Sequence, residues 1–139
     1  MTANLLITPE EIAEAEVSVE GDAYRHLFRA LRLAVADPVR VVDGRGRARA
    51  AEVTEVDGRR GRLRLGKDLP SLEPNLEITL AVAAPRKSRA SWMVEKATEL
   101  GVVAVRFVSF ARSERSPGRG TRKRFLRVAR AAVEQCGRS

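Results

Sequence analysis

Two Asp-Gly pairs, Asp43-Gly44 and Asp57-Gly58, constrain this chain more than any other feature. Each is flanked by short, β-prone segments. Val39-Arg40-Val41-Val42 leads into Asp43-Gly44-Arg45-Gly46, then Ala48 to Val56 follows, and Arg62-Leu63-Arg64-Leu65 alternates in the strand period after the second pair. Asp-Gly between such segments signals a hairpin, because both turn positions tolerate positive φ. The expected result is a three-stranded meander, joined by Leu5–Ile7 and Val17–Val19 in a small barrel or curled sheet. One helix, roughly Asp22–Leu33, interrupts it. At 100° per residue Tyr24, Leu27, Phe28 and Leu31 form an apolar stripe, with Arg25, Arg29 and Arg32 opposite. That arginine row is either a solvated helix face or a ridge that tracks phosphates. His26, the only histidine, sits beside it, and a lone histidine is more often structural than catalytic.

Beyond Pro70-Ser71-Leu72-Glu73-Pro74-Asn75, which reads as a linker, the period changes. Leu76–Ala84 reads as a strand and Ser88–Leu100 as a helix with Ser88 as N-cap and Gly101 just past its end. Val102–Phe110 reads as a second strand, apolar enough to be covered on both faces. Thr121–Cys136 reads as a helix that buries Phe125, Leu126, Ala129, Ala132, Val133 and Cys136 and is stopped by Gly137. Strand-helix-strand-helix opens a parallel α/β domain. Two strands and two helices in about 65 residues do not cover both faces of a sheet, so the domain is expected to be truncated. The domains are thus expected at 1–72 and 73–139.

Charge separates the same halves. Residues 1–72 balance 12 basic against 12 acidic side chains, while 73–139 hold 14 and 6 and supply the whole net +8. Such a basic block points to a polyanion, RNA or DNA ahead of a membrane surface. No apolar stretch is long enough to span a membrane, and the N-terminus has no basic signal-peptide region. A single cysteine, Cys136, suits a reducing cytoplasm, and one His with one Cys argues against a zinc site.

No phosphate-binding glycine loop, His-Glu-x-x-His or Gly-x-Ser-x-Gly motif occurs. Polar clusters instead gather at the edges of the second half. Pro85-Arg86-Lys87-Ser88-Arg89 and Ser113-Glu114-Arg115-Ser116 each follow a strand, where α/β folds bind ligands, and Glu134-Gln135-Cys136-Gly137-Arg138-Ser139 follows the last helix. Glu95 and Glu99 repeat at i, i+4 and call for a cation such as Arg115 or Arg138.

These segments carry a resemblance. Ala-Pro-Arg-Lys-Ser-Arg (84–89), Val-Glu-Lys-Ala-Thr-Glu-Leu-Gly-Val (94–102), Ser-Glu-Arg-Ser (113–116) and Ala-Val-Glu-Gln-Cys-Gly-Arg-Ser (132–139) resemble signature segments of the RsmE family of RNA methyltransferases. His26-Leu27-Phe28-Arg29-Ala30-Leu31-Arg32-Leu33 and Val42-Asp43-Gly44-Arg45-Gly46 resemble its N-terminal segments in the same order. The resemblance implies an α+β protein, with an N-terminal PUA-like RNA-binding barrel and a SPOUT α/β domain whose later part forms a trefoil knot. It implies methyl transfer from S-adenosylmethionine, without a metal, to N3 of a uridine in 16S ribosomal RNA of the small subunit, by a cytoplasmic homodimer.

The family's later Gly-Pro-Glu-Gly-Gly-like loop and Arg-x-Glu-Thr-rich segment have no counterpart in these 139 residues. The knot region is therefore expected to be missing, no cofactor residue is assigned, and the chain by itself is expected to be inactive. Arg25, Arg29, Arg32, Arg86, Lys87 and Arg89 are expected to hold the RNA backbone. Arg115, Glu134, Gln135 and Arg138 are expected to line the target-base cleft, with Arg115, Glu134 and Arg138 the candidates for catalysis. The competing reading is a non-catalytic RNA-binding protein.

Overall fold

The computed structural model describes residues 2–113, 118 and 120–138, without the side chain of Lys87. The chain divides into two compact units, residues up to Leu72 together with Gly137 and Arg138, and Glu73–Cys136.

The first unit is a five-stranded curled sheet in the order β1-β3-β4-β5-β2. Its strands are β1 (Ala3–Leu6), β2 (Glu16–Val19), β3 (Pro38–Val42), β4 (Ala48–Val56) and β5 (Gly61–Leu69). β1 pairs parallel with β3, and every other pairing is antiparallel. Register shifts between Arg49 and Ala51 and between Val53 and Glu55 bend β4 and help the sheet curl. The alternation read from the sequence places Val39, Val41, Val53, Leu63 and Leu65 on the inner face, together with Leu5 and Val17.

Asp57 closes the β4–β5 hairpin by accepting from the Arg59 and Arg60 amides at 3.0 and 2.7 Å. Gly58 takes φ +91° in that turn, a conformation an L side chain resists. Arg49 is a structural clasp. Its guanidinium donates to the carbonyls of Ile12, Glu14 and Gly66 at 2.8–3.0 Å, tying β4 to the 3₁₀ turn Glu11–Ala13 and to β5.

The helix lying on this sheet departs from expectation. Only Gly21–Tyr24 (α1) is α-helical, and Arg25–Ala30 is a π-helix in which the Leu31 amide bonds the His26 carbonyl five residues back. Tyr24, Leu27 and Phe28 are buried, with the Tyr24 and Phe28 rings 5.0 Å apart, but Leu31 is 46% exposed. The wider turn advances each residue by less than 100°, so Leu31 rotates out of the apolar stripe and Leu33 packs on the core instead. Phe28 lies over backbone that has no side chain, since a Cβ on Gly61 would come within 2.4 Å of its ring.

The second unit pairs β6 (Thr79–Ala83) and β7 (Ala104–Val108) in parallel, with α2 (Lys87–Glu99) and α3 (Thr121–Cys136) packed together. Ala90 and Val94 of α2 and Phe125 of α3 form its core, with Phe107, Val128 and Ala129 packed against them. The Phe107 and Phe125 rings stack with centroids 5.0 Å apart.

Three expectations fail here. No β6 or β7 residue is fully buried, so neither strand is covered on both faces among the described residues. Leu126 and Cys136 are exposed, because the buried stripe of α3 runs through Phe125 and Ala132. Ser88 does not cap α2; the helix begins at Lys87 with Arg86 as N-cap, and Ser88 lies inside the first turn. Between Glu95 and Glu99 the helix itself supplies a cation, Lys96, at 3.0 and 2.9 Å, while the expected Arg115 lies outside the described residues. A neighbour on the same helix needs no chain ordering beyond the helix itself. Glu99 first, then Glu95, holds the Lys96 ammonium above its ordinary range.

Candidate nucleic-acid interface

In the first unit the π turn and the β4–β5 hairpin meet. Arg29 donates through Nη2 to the Gly58 carbonyl at 3.3 Å, which sets its guanidinium beside the turn that carries Arg59 and Arg60. Arg60 is tied by Nε to Glu20 at 2.7 Å, and Arg25 is paired with Asp22, one turn away. Arg32 is exposed at φ +58°, just after the helix stops. Arg25, Arg29 and Arg32 thus share one exposed segment, although π geometry has replaced the straight α-helical row. These surface pairs hold side chains loosely, since exposed ion pairs contribute about 0–1 kcal/mol, and a phosphate can compete for them. Arg59, which the sequence reading did not single out, is presented by the hairpin turn; only its position after Asp-Gly could have flagged it.

A second basic loop is held more firmly. The Asp43 side chain is fully enclosed, and its carboxylate accepts from the Arg45 and Arg47 amides at 2.8 and 3.0 Å and from Arg47 Nε at 2.7 Å. Burial alone would raise this carboxyl. The Arg47 guanidinium and the two amides outweigh it and hold the group below the usual aspartate range. A depressed folded-state pKa means that the stabilisation is complete above the unfolded value, about 3.9, and is lost as pH falls through the lower, folded value. Denaturation midpoints of the native chain should therefore hold steady from pH 7 to about 4 and fall below that. Asp43→Asn should lose about 1–3 kcal/mol at neutral pH, because its amide nitrogen would face the Arg47 guanidinium, and its acid slope should be flatter. An unchanged acid profile in Asp43→Asn urea titrations would remove this account.

In the second unit the carboxyl ends of β6 and β7 form a cavity of about 470 Å3, lined by Ala83, Pro85, Arg86, Phe110, Arg112 and Ser113 among others. Arg86 and Arg89 are both exposed at the start of α2. Arg115 lies outside the described residues, as does the side chain of Lys87. Glu134 and Gln135 occupy the last turn of α3, half-buried and exposed. Arg138 follows Gly137, whose Cα faces the Asn4 side chain in the first unit.

A larger cleft, about 610 Å3, runs beside β7 and α3 and is lined by Val94, Val103, Val105, Phe107, Phe125 and Leu126 among others. The larger lining is mostly apolar, and the Thr98 hydroxyl in it already donates to the Val94 carbonyl at 2.7 Å. The smaller one carries the guanidinium groups of Arg86 and Arg112 among its described residues. Among the described residues no cluster of His, Cys, Asp or Glu could hold a metal, and no helix is long and apolar enough to cross a membrane.

Comparison with known proteins assigns both halves. Residues 72–139 match the RNA methyltransferase domain family, and residues 19–65 the RNA methyltransferase PUA domain family. The ribosomal RNA small subunit methyltransferase E of a Synechocystis strain is 30% identical over 138 residues, 99% of this chain and 45% of the relative. The structure superposes on a protein described as a probable rRNA-methyltransferase of Porphyromonas gingivalis with TM-score 0.82 and 29% identity, covering 98% of this chain and 56% of that one. It superposes on a ribosomal RNA small subunit methyltransferase E of Neisseria gonorrhoeae, bound to S-adenosyl methionine, with TM-score 0.86 and 23% identity over 99% of this chain and 58% of that one. The chain spans about half the length of these relatives. By sequence and fold, it belongs to the RsmE-like family of RNA methyltransferases.

Proposed function

We propose that these residues form the RNA-holding portion of an enzyme that methylates N3 of a uridine in 16S ribosomal RNA with S-adenosylmethionine as donor. The observation that carries this reading is the pairing of the arginine-bearing π turn with the β4–β5 hairpin, in a unit that matches the PUA domain of RNA methyltransferases. In this reading residues 1–72 are the RNA-binding domain and 73–139 the first part of the catalytic domain. Arg25, Arg29 and Arg32 track phosphates on one, and Arg86, Lys87 and Arg89 on the other. N3 of uracil is a poor nucleophile while protonated, so orientation and proton removal are the tasks left to protein groups. Arg115, Glu134, Gln135 and Arg138 are the residues we assign to the target base, with Arg115, Glu134 and Arg138 as catalytic candidates. The enzyme would act in the cytoplasm, on the small subunit or its RNA, as a homodimer built on the second domain; a monomeric sedimentation coefficient would remove the dimer.

A second reading, favoured by the exposed arginines Arg86 and Arg112 at the smaller cavity, is that the 139 residues alone bind RNA and do not bind the cofactor. Calorimetry with S-adenosylmethionine should then give no heat with this chain and a normal isotherm with the Neisseria protein. RNA binding should weaken linearly in log K against log salt. Replacing Arg25, Arg29 and Arg32 together by Gln should lower that slope by about 2, from a slope of about 0.7 per phosphate contact on single strands. A slope equal to that of the native chain would dismiss the three arginines as phosphate contacts.

A further inference from the structure

Phe110 is 57% exposed at the carboxyl edge of the second unit's sheet. It is held there by a tight turn. Its amide donates to Ser113 Oγ at 2.8 Å, and the Ser113 amide donates back to the Phe110 carbonyl at 2.9 Å. Phe110 lines the 470 Å3 cavity together with the small-residue run Ala83-Ala84-Pro85. Among the described residues of the lining, Arg86 and Arg112, both exposed, carry the charges, and both are positive. The volume falls in the range of about 300–1,000 Å3 usual for small-ligand sites. A flat ring, small side chains and two guanidinium groups lining one cavity are complementary in chemistry to one unpaired nucleotide. The base has a face to stack, and its phosphates meet the arginines.

We propose that this cavity takes a single unpaired nucleotide of the RNA, with its base stacked on Phe110 and its phosphate between Arg86 and Arg112. The proposal rests on the RNA-binding reading above and adds to it a base-stacking residue. Stacking takes place with any base, so this site orients and extrudes rather than reads sequence. An RNA segment seated here would have to be single-stranded or locally opened.

The test is binding of a labelled single-stranded oligouridine and of a duplex of equal length to the 139-residue chain across a salt series. Phe110→Leu keeps an apolar side chain and removes the ring. It should weaken the single strand about tenfold, within the 1–3 kcal/mol measured for base–aromatic stacking, and leave both the salt slope and the duplex affinity unchanged. Phe110→Trp should restore or improve single-strand binding. An oligonucleotide with abasic linkers should bind the native chain and Phe110→Leu equally. Arg112→Gln should instead lower the salt slope by about 0.7. Equal single-strand affinity of the native chain and Phe110→Leu overturns the stacking site alone. So does an equal loss on the duplex. Failure of the native chain to bind any RNA at low salt overturns both this proposal and the reading beneath it.

Discussion

Leu27→Ala is expected to lower the stability of the first unit by about 2–5 kcal/mol, the range for emptying a buried leucine site. Leu27 is 0% exposed and lies between the curled sheet and the π turn, among Leu5, Val41, Val53 and Leu63. The neighbouring strands are fixed by their ladders and cannot collapse onto the cavity, which places the cost toward the upper end. Tyr24, the single tyrosine, is 6% exposed in the same core and packs its ring, tilted by 45°, against Phe28. Near-ultraviolet circular dichroism therefore reports the unfolding of this unit. A midpoint shift worth less than about 1 kcal/mol would mean that the π turn yields and refills the space.

Gly101→Ala should have an effect of similar size on the second unit. α2 ends in a paired closure, with the Gly101 amide on the Thr98 carbonyl at 3.1 Å and the Val102 amide on the Ala97 carbonyl at 2.9 Å. This Schellman geometry needs a left-handed residue at the first position past the cap, and Gly101 has φ +87°. A Cβ there would meet Pro74 Cγ at 2.5 Å and Cδ at 2.9 Å, atoms of a rigid ring that cannot swing aside. Backbone strain of about 1–2 kcal/mol and overpacking of about 1–3 kcal/mol combine to about 2–5 kcal/mol. Gly46→Ala provides the control, because φ is +98° but nothing lies within 4 Å of its added carbon. It should show the strain alone. Ellipticity at 222 nm reads the Gly101 effect, since the long helices α2 and α3 both belong to this unit. Equal losses in the two variants would leave the Pro74 contact without energetic weight.

The strands were legible because alternation and Asp-Gly turns are local signals, and β3, β4, β5 and α3 lie where those signals put them. The π turn was not legible. An α and a π segment share the same residues and nearly the same apolar spacing, and packing of Phe28 over Gly61 is a contact between distant elements. For the same reason composition gave the basic character of the surface but not the task of each arginine. Arg49 and Arg29 look alike in sequence. One is fastened to three carbonyls and holds the fold, and the other makes one long bond at the edge of a turn. Charge patterning marked the carboxyl edge of the second unit, but it passed over Phe110, which was read only as the last residue of a strand.

The wide turn at Arg25–Ala30 has a consequence for lineage as well as for shape. A π segment is an α-helix carrying one residue more than its hydrogen-bond ladder needs, so its length can change without breaking the elements on either side. Removing one residue there would restore the tighter ladder and swing everything after it by about 100°. The guanidinium groups on this face would then point along a different bearing while Tyr24 stayed seated. The arginine face can thus be re-aimed by a single insertion or deletion, a change of phase rather than of chemistry.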